Sequence, residues 1–519
     1  MRHPTLWRRA LALLALSLVF VLPGSAQDML SQFEQKVTEF TLDNGLTFIV
    51  VERHEAPVVS FFTYADVGGV DEVKGITGIA HMFEHMAFKG TTTIGSKDLD
   101  MEMEAMHHVD ETYTALKAEK RKGARADPER LAELEEAFEA SKKEAQEWTE
   151  NGEFEKVIER AGGTGLNATT SSDATRYFYN LPANKIELWF SLESDRFINP
   201  VLREFYVERD VVMEERRMRT ESNPTGRLIE EFLTTSYKAH PYGEPVIGHM
   251  SDLQSFTRAE ADTFFKTYYG ANNLTIAIVG SVEAAQVREL AETYFGRLPG
   301  GEKPDPVETV EPAQIAERRV IIEEQTQPFL ILGYHKGSVL HPDNAAFSVL
   351  SDIVSRGRTS RLYKRLVEEE KIALQAGGFN NFPGNKYPNM FVFFAVPNQG
   401  HTPQEAEEAI YAIIEQIKEE GVTTEELERA KTRARADGIR RLQSNTGIAS
   451  QLTYYEAVTG DWRNLFRGID QIEAVTNDDI MRIAQETFTK KNRTVAMIQT
   501  TAPETAAAEA AEGSDKTGR

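Results

Sequence analysis

An internal duplication constrains this chain more than any other feature. Residues 251–281 align without gaps onto residues 470–500, so that Thr257 falls on Thr476, Asn273 on Asn492, Thr275 on Thr494 and Ala277 on Ala496. Each copy reads as a helix opened by a threonine N-cap, followed by a β-rich apolar run at 274–279 and again at 494–498. The two halves also begin alike. Apolar runs at 46–51 and 58–64 precede one helical segment, and runs at 319–322 and 329–334 precede another at 344–354. Between them, residues 298–312 are rich in Pro, Gly and acids, as expected of a connector. The organisation implied is a first α+β domain over 27–300, a linker over 301–318, a homologous second domain over 319–500 and a disordered tail over 501–519.

One segment has no counterpart in the second half. Residues 101–160 are highly charged and helical in composition. Met106, Val109, Tyr113 and Leu116 recur at alternating spacings of three and four, and so do Leu131, Leu134, Phe138, Ser141, Ala145 and Trp148. Asp127-Pro128 supplies an N-cap with proline in the first turn, and Asn151-Gly152 a stop. The pattern predicts a helical hairpin with a coiled-coil-like seam, inserted into the first domain and projecting from it. His107 and His108 lie in it as neighbours, so they point in different directions and do not form a ligand pair.

The amino terminus carries Arg2, Arg8 and Arg9, then an apolar stretch over 10–22 and the small residues Gly24, Ser25 and Ala26. This is the pattern of a cleaved export signal over 1–26, which implies a periplasmic or secreted protein. No later stretch is apolar and long enough to be a transmembrane helix. With 58 basic against 81 acidic residues the net charge is −23, which argues against nucleic acid as a partner because phosphate binding needs a basic footprint. The chain has no cysteine, so any metal site has to be built from His, Asp and Glu.

Such a set is present. The segment His81-Met82-Phe83-Glu84-His85 has helical character, and on a helix residues four apart share a face. The imidazoles of His81 and His85 can then hold one metal ion, with the Glu84 carboxylate beside a water in its open coordination position. The competing reading is a polar face of a surface helix. A catalytic zinc site needs a third protein ligand. Glu208 and Glu215 lie seven apart on an acidic helical stretch; one of them is available as a ligand and the other as a carboxylate that orients a ligand. By itself that stretch also fits a salt-bridged surface helix.

Together these segments resemble the pitrilysin/insulinase family of inverzincin peptidases, which includes the mitochondrial processing peptidases. The matching residues are HMFEHMAFKGT from His81, GGTGLNATTSSDATRY from Gly162, ERDVVMEER from Glu208 and the run His240-Pro241-Tyr242-Gly243. The resemblance covers nearly all of the chain apart from the helical insert and the tail. It implies two homologous α/β-roll domains, each an antiparallel sheet packed by helices, forming one half of a clamshell. It also implies a zinc endopeptidase with one Zn2+ per chain, ligated by His81, His85 and Glu215, with Glu84 as general base and Glu208 supporting the ligands. The strand carrying Asn167, Ala168 and Thr169 would receive an extended peptide substrate by strand addition. One departure stands out. Where the family presents an Arg and a Tyr from its second half, this chain has Val367 and Leu374. The expected remedy is a zinc-less homologous partner subunit that supplies the pair, or failing that a homodimer. A non-catalytic assembly subunit of the same fold is the alternative function.

Overall fold

The structure is a computed structural model that describes residues 26–501; all but the last residue of the expected export signal, and all but the first of the tail, lie outside it. Eleven strands form two sheets among the described residues. The first comprises β1 (Val37–Thr41), β2 (Thr47–Glu52), β3 (Val58–Ala65), β4 (Thr164–Thr170), β5 (Thr175–Pro182) and β6 (Leu274–Gly280), in the order β1-β2-β6-β3-β5-β4. The second comprises β7 (Arg318–Glu324), β8 (Phe329–Lys336), β9 (Ala373–Phe382), β10 (Asn389–Pro397) and β11 (Arg493–Thr500), in the order β7-β11-β8-β10-β9. Without β1 the two orders are the same. In both, the last strand of the half enters between the first two, parallel to one and antiparallel to the other. The fold is α+β, as the repeat implied, and each half repeats one topology.

The duplicated residues do equivalent work. Thr257 and Thr476 each close a capping box at a helix start, with Glu260 and Asp479 as the reciprocating acids. The Asn273 amide donates to the Tyr268 carbonyl at 2.8 Å and to Asp66 O at 3.2 Å. The Asn492 amide donates to Thr487 O at 3.0 Å and to His335 O at 2.8 Å. In each half, then, one asparagine ties the end of a helix to the neighbouring strand's end.

Both faces of both sheets are covered, so their central strands read as continuous apolar runs rather than alternating ones. In β2, Phe48 and Val50 face the helices of the first half, where Phe61 stacks on Trp189 with ring centroids 4.6 Å apart. Ile49 and Val51 face the other way, with Phe62, Ala277 and Val279, onto Ile448, Ala449 and Leu452 of the helix Asn445–Thr459. That helix belongs to the second half. The first half returns the contact: Leu228 and Phe232 of the helix Pro224–Ser236 cover Ile331, Met390, Val392, Ala496 and Ile498 of the second sheet. Gly333 of β8 permits this approach, since a Cβ there would lie 2.5 Å from the Phe232 ring. Each half therefore covers the back of the other's sheet with one helix.

The hairpin forms as helices Leu99–Lys120 and Pro128–Glu147, capped by Asp98 and Asp127, with a third helix, Glu153–Arg160, in the same segment. It does not project from the domain as expected. Val109, Tyr113, Leu116, Leu134 and Phe138 belong to the main core of the first half, and the Tyr113 hydroxyl donates to Gln254 O at 2.7 Å. The seam residues are shared with the body of the domain, because a two-helix hairpin buries too little on its own.

Leu452 is fully buried on the back of the first sheet. Leu452→Ala is expected to lower stability by about 2–5 kcal/mol, the cost of an unfilled core site. A denaturation midpoint equal to that of the parent would contradict the exchanged-helix packing.

Candidate active site

The helix Ile79–Met86 carries His81, Glu84 and His85, and its start is held tightly. Gly78 opens it in the left-handed region, at φ 93°, and a Cβ at that position would lie 2.7 Å from Ile247 O, so only glycine fits. The buried Glu72 carboxylate accepts the N–H groups of Gly78 and Ala80, both at 2.8 Å, satisfying two of the orphan donors at the helix start. Asp252 holds the preceding turn through the Gly75 and Thr77 amides at 2.9 and 3.2 Å. Two helices and an edge strand meet here: the motif helix packs against both the acidic helix Phe205–Arg216 and β4.

That packing brings three groups together. Nε2 of His85 lies 3.2 Å from Oε2 of Glu215, and Nε2 of His81 lies 3.7 Å from the same oxygen. The two imidazoles stand almost perpendicular, with centroids 5.0 Å apart and an interplanar angle of 84°. One ligand atom from each of His81, His85 and Glu215 falls within 4.8 Å of the others, and no other such group occurs among the described residues. Glu214, the adjacent acid, pairs instead with Arg217 at 2.9 Å and is more than half exposed.

The surroundings suit a cation. Burial pushes the His81 imidazole down, to about 4, so the ring is neutral at neutral pH and one of its nitrogens carries no proton. His85 is shifted upward, chiefly by its hydrogen bond with Glu208, whose Oε2 lies 3.4 Å from Nδ1. Glu208 thus occupies one ring nitrogen of His85 and leaves Nε2 directed at Glu215, the arrangement that orients a metal-binding histidine. Burial works to raise the Glu208 carboxyl, but the bonds with His85 and Lys89 outweigh it and hold the group below the usual carboxylate range. Burial lifts Glu84 above that range, offset in part by Thr170 of β4 and by His85. Two imidazoles, one carboxylate and a further carboxylate of raised proton affinity form a donor set that fits Zn2+ with one open position.

β4 is the outer strand of the first sheet and pairs with β5 alone. Along it Asn167 and Thr169 are exposed while Ala168 is buried, so the strand offers its free edge beside the motif helix. Val367 packs against the core of the second half, and Leu374 is an exposed residue of β9. Neither side chain offers a polar group.

Three residues at the site carried no role in the sequence reading. Lys89 reaches Oε1 of Glu208 at 2.5 Å and Oε2 of Glu204 at 3.1 Å. Arg219 reaches Oε1 of Glu215 at 2.6 Å. Arg203, wholly buried, donates to the carbonyls of Lys89, Thr91 and Ile94 at 2.6 to 2.9 Å and pairs with the buried Glu102 of the hairpin at 2.8 Å. Spacing offered a signal for two of them, since Lys89 follows His85 by four residues and Arg219 follows Glu215 by four.

Residues 47–117 and 123–249 match the insulinase family, peptidase family M16, and residues 255–434 match the M16 inactive domain. The chain belongs to the insulinase (M16) peptidase family. A protein of Helicobacter pylori named zinc protease PqqE is 28% identical over 94% of this chain and 98% of its own. The crystal structure of a protease from Helicobacter pylori superposes with a TM-score of 0.74 at 28% identity, over 89% of this chain and 99% of that one. The periplasmic protease PqqL from Escherichia coli shares the fold at a TM-score of 0.65 and 19% identity. There the match covers 91% of this chain but 48% of that chain, so this chain has the size of one half of it.

The Glu102–Arg203 pair joins the hairpin to the loop after the motif helix, with both side chains at most 1% exposed. Glu102→Ala leaves the guanidinium buried without its counter-charge and is expected to cost about 3–5 kcal/mol, read by chemical denaturation. An unchanged unfolding midpoint would show that the hairpin is not anchored there.

Proposed function

We propose that the chain is a zinc-dependent endopeptidase that hydrolyses peptides or unfolded segments of polypeptide, with one Zn2+ per chain. The observation that carries this reading is the convergence of His81, His85 and Glu215 beside Glu84. Bound in that set, zinc would supply a Lewis acid that polarises the scissile carbonyl and lowers the pKa of a water. His81 and His85 serve as neutral nitrogen ligands and Glu215 as the anionic one. Glu208 holds His85 in the tautomer that frees Nε2. Glu84 accepts the proton of the attacking water and passes it to the leaving amine; the proton affinity raised by burial suits both transfers. The free edge of β4, at Asn167, Ala168 and Thr169, receives the substrate as an added strand. Main-chain pairing of this kind selects extended peptides over folded proteins.

The second half is read as inactive, since most of the inactive-domain match, which begins at residue 255, lies there and the motif-bearing segment matches the peptidase. With Val367 and Leu374 in place of the family's Arg and Tyr, a complete substrate site requires a second half from elsewhere. A zinc-less homologous subunit is the proposed partner, with a homodimer as the fallback, and a periplasmic or secreted setting is proposed with it. The size relation to the Escherichia coli periplasmic protease, whose chain is about twice this span, supports a two-half assembly.

The test is Glu84→Gln in the assembly isolated from its source cells. Zinc content is expected to stay at one per chain while cleavage of a quenched peptide mixture falls by about 10²- to 10⁴-fold. Full activity in that variant, or wild-type protein that cleaves equally well after chelation, would overturn the reading and favour a non-catalytic assembly role.

A further inference from the structure

The carboxylate that holds His85 is itself held, and the residue that holds it has no assigned role. Lys89 stands one turn beyond His85, and its ammonium group bridges Oε1 of Glu208 at 2.5 Å and Oε2 of Glu204 at 3.1 Å. The other oxygen of Glu208 faces Nδ1 of His85 at 3.4 Å. Nζ, the Glu208 carboxylate and the imidazole thus form one continuous chain of charged contacts ending at Nε2. The side chains of Lys89, Glu204 and Glu208 are all at least three-quarters buried, which strengthens such contacts and limits water competing for them.

The main chain of Lys89 is fixed as firmly as its side chain. Its N–H donates to Met86 O at 3.2 Å, and its carbonyl accepts from Arg203 at 2.6 Å. Arg203 is fixed in turn by Glu102, from the first turn of the hairpin. Through Arg203 and Lys89 the hairpin, absent from the other half, has one link to the cluster, beside direct contacts of its own with the acidic helix such as Lys142 to Asp210 at 2.9 Å.

We propose that Lys89 is a positioning residue for the metal site: it fixes Glu208 in the rotamer that holds His85 Nδ1, and its charge offsets one of the carboxylates crowded there. Glu208, Glu204, Glu84 and Glu215 put four carboxylates around two histidines. Without a cation between them, Glu204 and Glu208 repel each other, and Glu208 is free to turn toward solvent. Lys89 does not touch the ligand atoms, so it acts through Glu208. The proposal rests on the zinc reading above.

The experiment is a double-mutant cycle on zinc affinity in the full chain, measured by competition with a chromophoric chelator. Lys89→Met is expected to weaken zinc binding about 10- to 100-fold, the range seen when a partner of a ligand is removed. In a Glu208→Gln background, the same change is expected to cost less than about threefold, because the group through which Lys89 acts is already altered. Lys89→Arg retains the cation and is expected to stay within about tenfold of wild type. Thermal midpoints of the metal-free proteins accompany each measurement; if Lys89→Met does not fold, the Lys89→Arg pair with and without Glu208→Gln completes the comparison. Wild-type affinity in Lys89→Met, or an equal loss in both backgrounds, would overturn the proposal and leave the zinc site standing. A wild-type chain that takes up no zinc would overturn the zinc reading and this proposal with it.

Discussion

The site depends on one contact between helices that are distant in sequence. Oε2 of Glu215, on the acidic helix, has to reach Nε2 of both His81 and His85 on the motif helix, 130 residues away in the case of His85. A displacement of an ångström at either helix would separate the three atoms. Much of the surrounding structure restrains that displacement. Glu72 and Asp252 secure the start of the motif helix, Gly78 permits its entry angle, and Arg203 gathers the carbonyls of the loop that follows. Glu208 and Glu215, seven apart on one helix, address opposite nitrogens of the same imidazole. One helix therefore supplies both the carboxylate that faces the two imidazoles and the one that holds the far side of the His85 ring.

The duplicated fold supplies a stable base for this contact. Each sheet has helices of its own half on one face and a helix of the other half on its back. Burying both faces contributes apolar area that a lone domain of this design would leave exposed. Polar ties join the same surfaces: Ser60 contacts Thr446 at 3.2 Å across a separation of 386 residues, and Lys386 reaches Asp66 at 2.8 Å. The two halves cannot separate without exposing both sheet backs.

Much of this was legible in the sequence, for identifiable reasons. The aligned threonines act locally, as helix caps, so their spacing marked two copies of one helix–strand unit, while the strands that the aligned asparagines reach lie far off in sequence. The pairing of His81 with His85 was legible because four-residue spacing on a helix fixes a shared face, whereas Glu215 was reached only through the family resemblance. What stayed hidden depends on contacts far apart in sequence. The helix Asn445–Thr459 is covered from several directions and has no single apolar stripe to mark its partner sheet. The hairpin was expected to stand clear because its seam pattern is that of a self-contained pair; the pattern cannot tell whether Tyr113 and Phe138 face each other alone or also meet Tyr206. Lys89 sits within a quoted motif, yet its task follows from where Glu204 and Glu208 arrive, not from its neighbours.

The central claim is that two imidazoles and one carboxylate of this chain bind a single zinc ion. X-ray absorption at the zinc edge, on protein purified without added metal and compared with Glu215→Gln, tests it most directly. The expected spectrum shows two nitrogen ligands and light oxygen neighbours at about 2.0–2.2 Å, with a carboxylate contribution lost in the variant. A first shell identical in the two proteins, or zinc surrounded by water oxygens alone, would contradict the assignment of His81, His85 and Glu215.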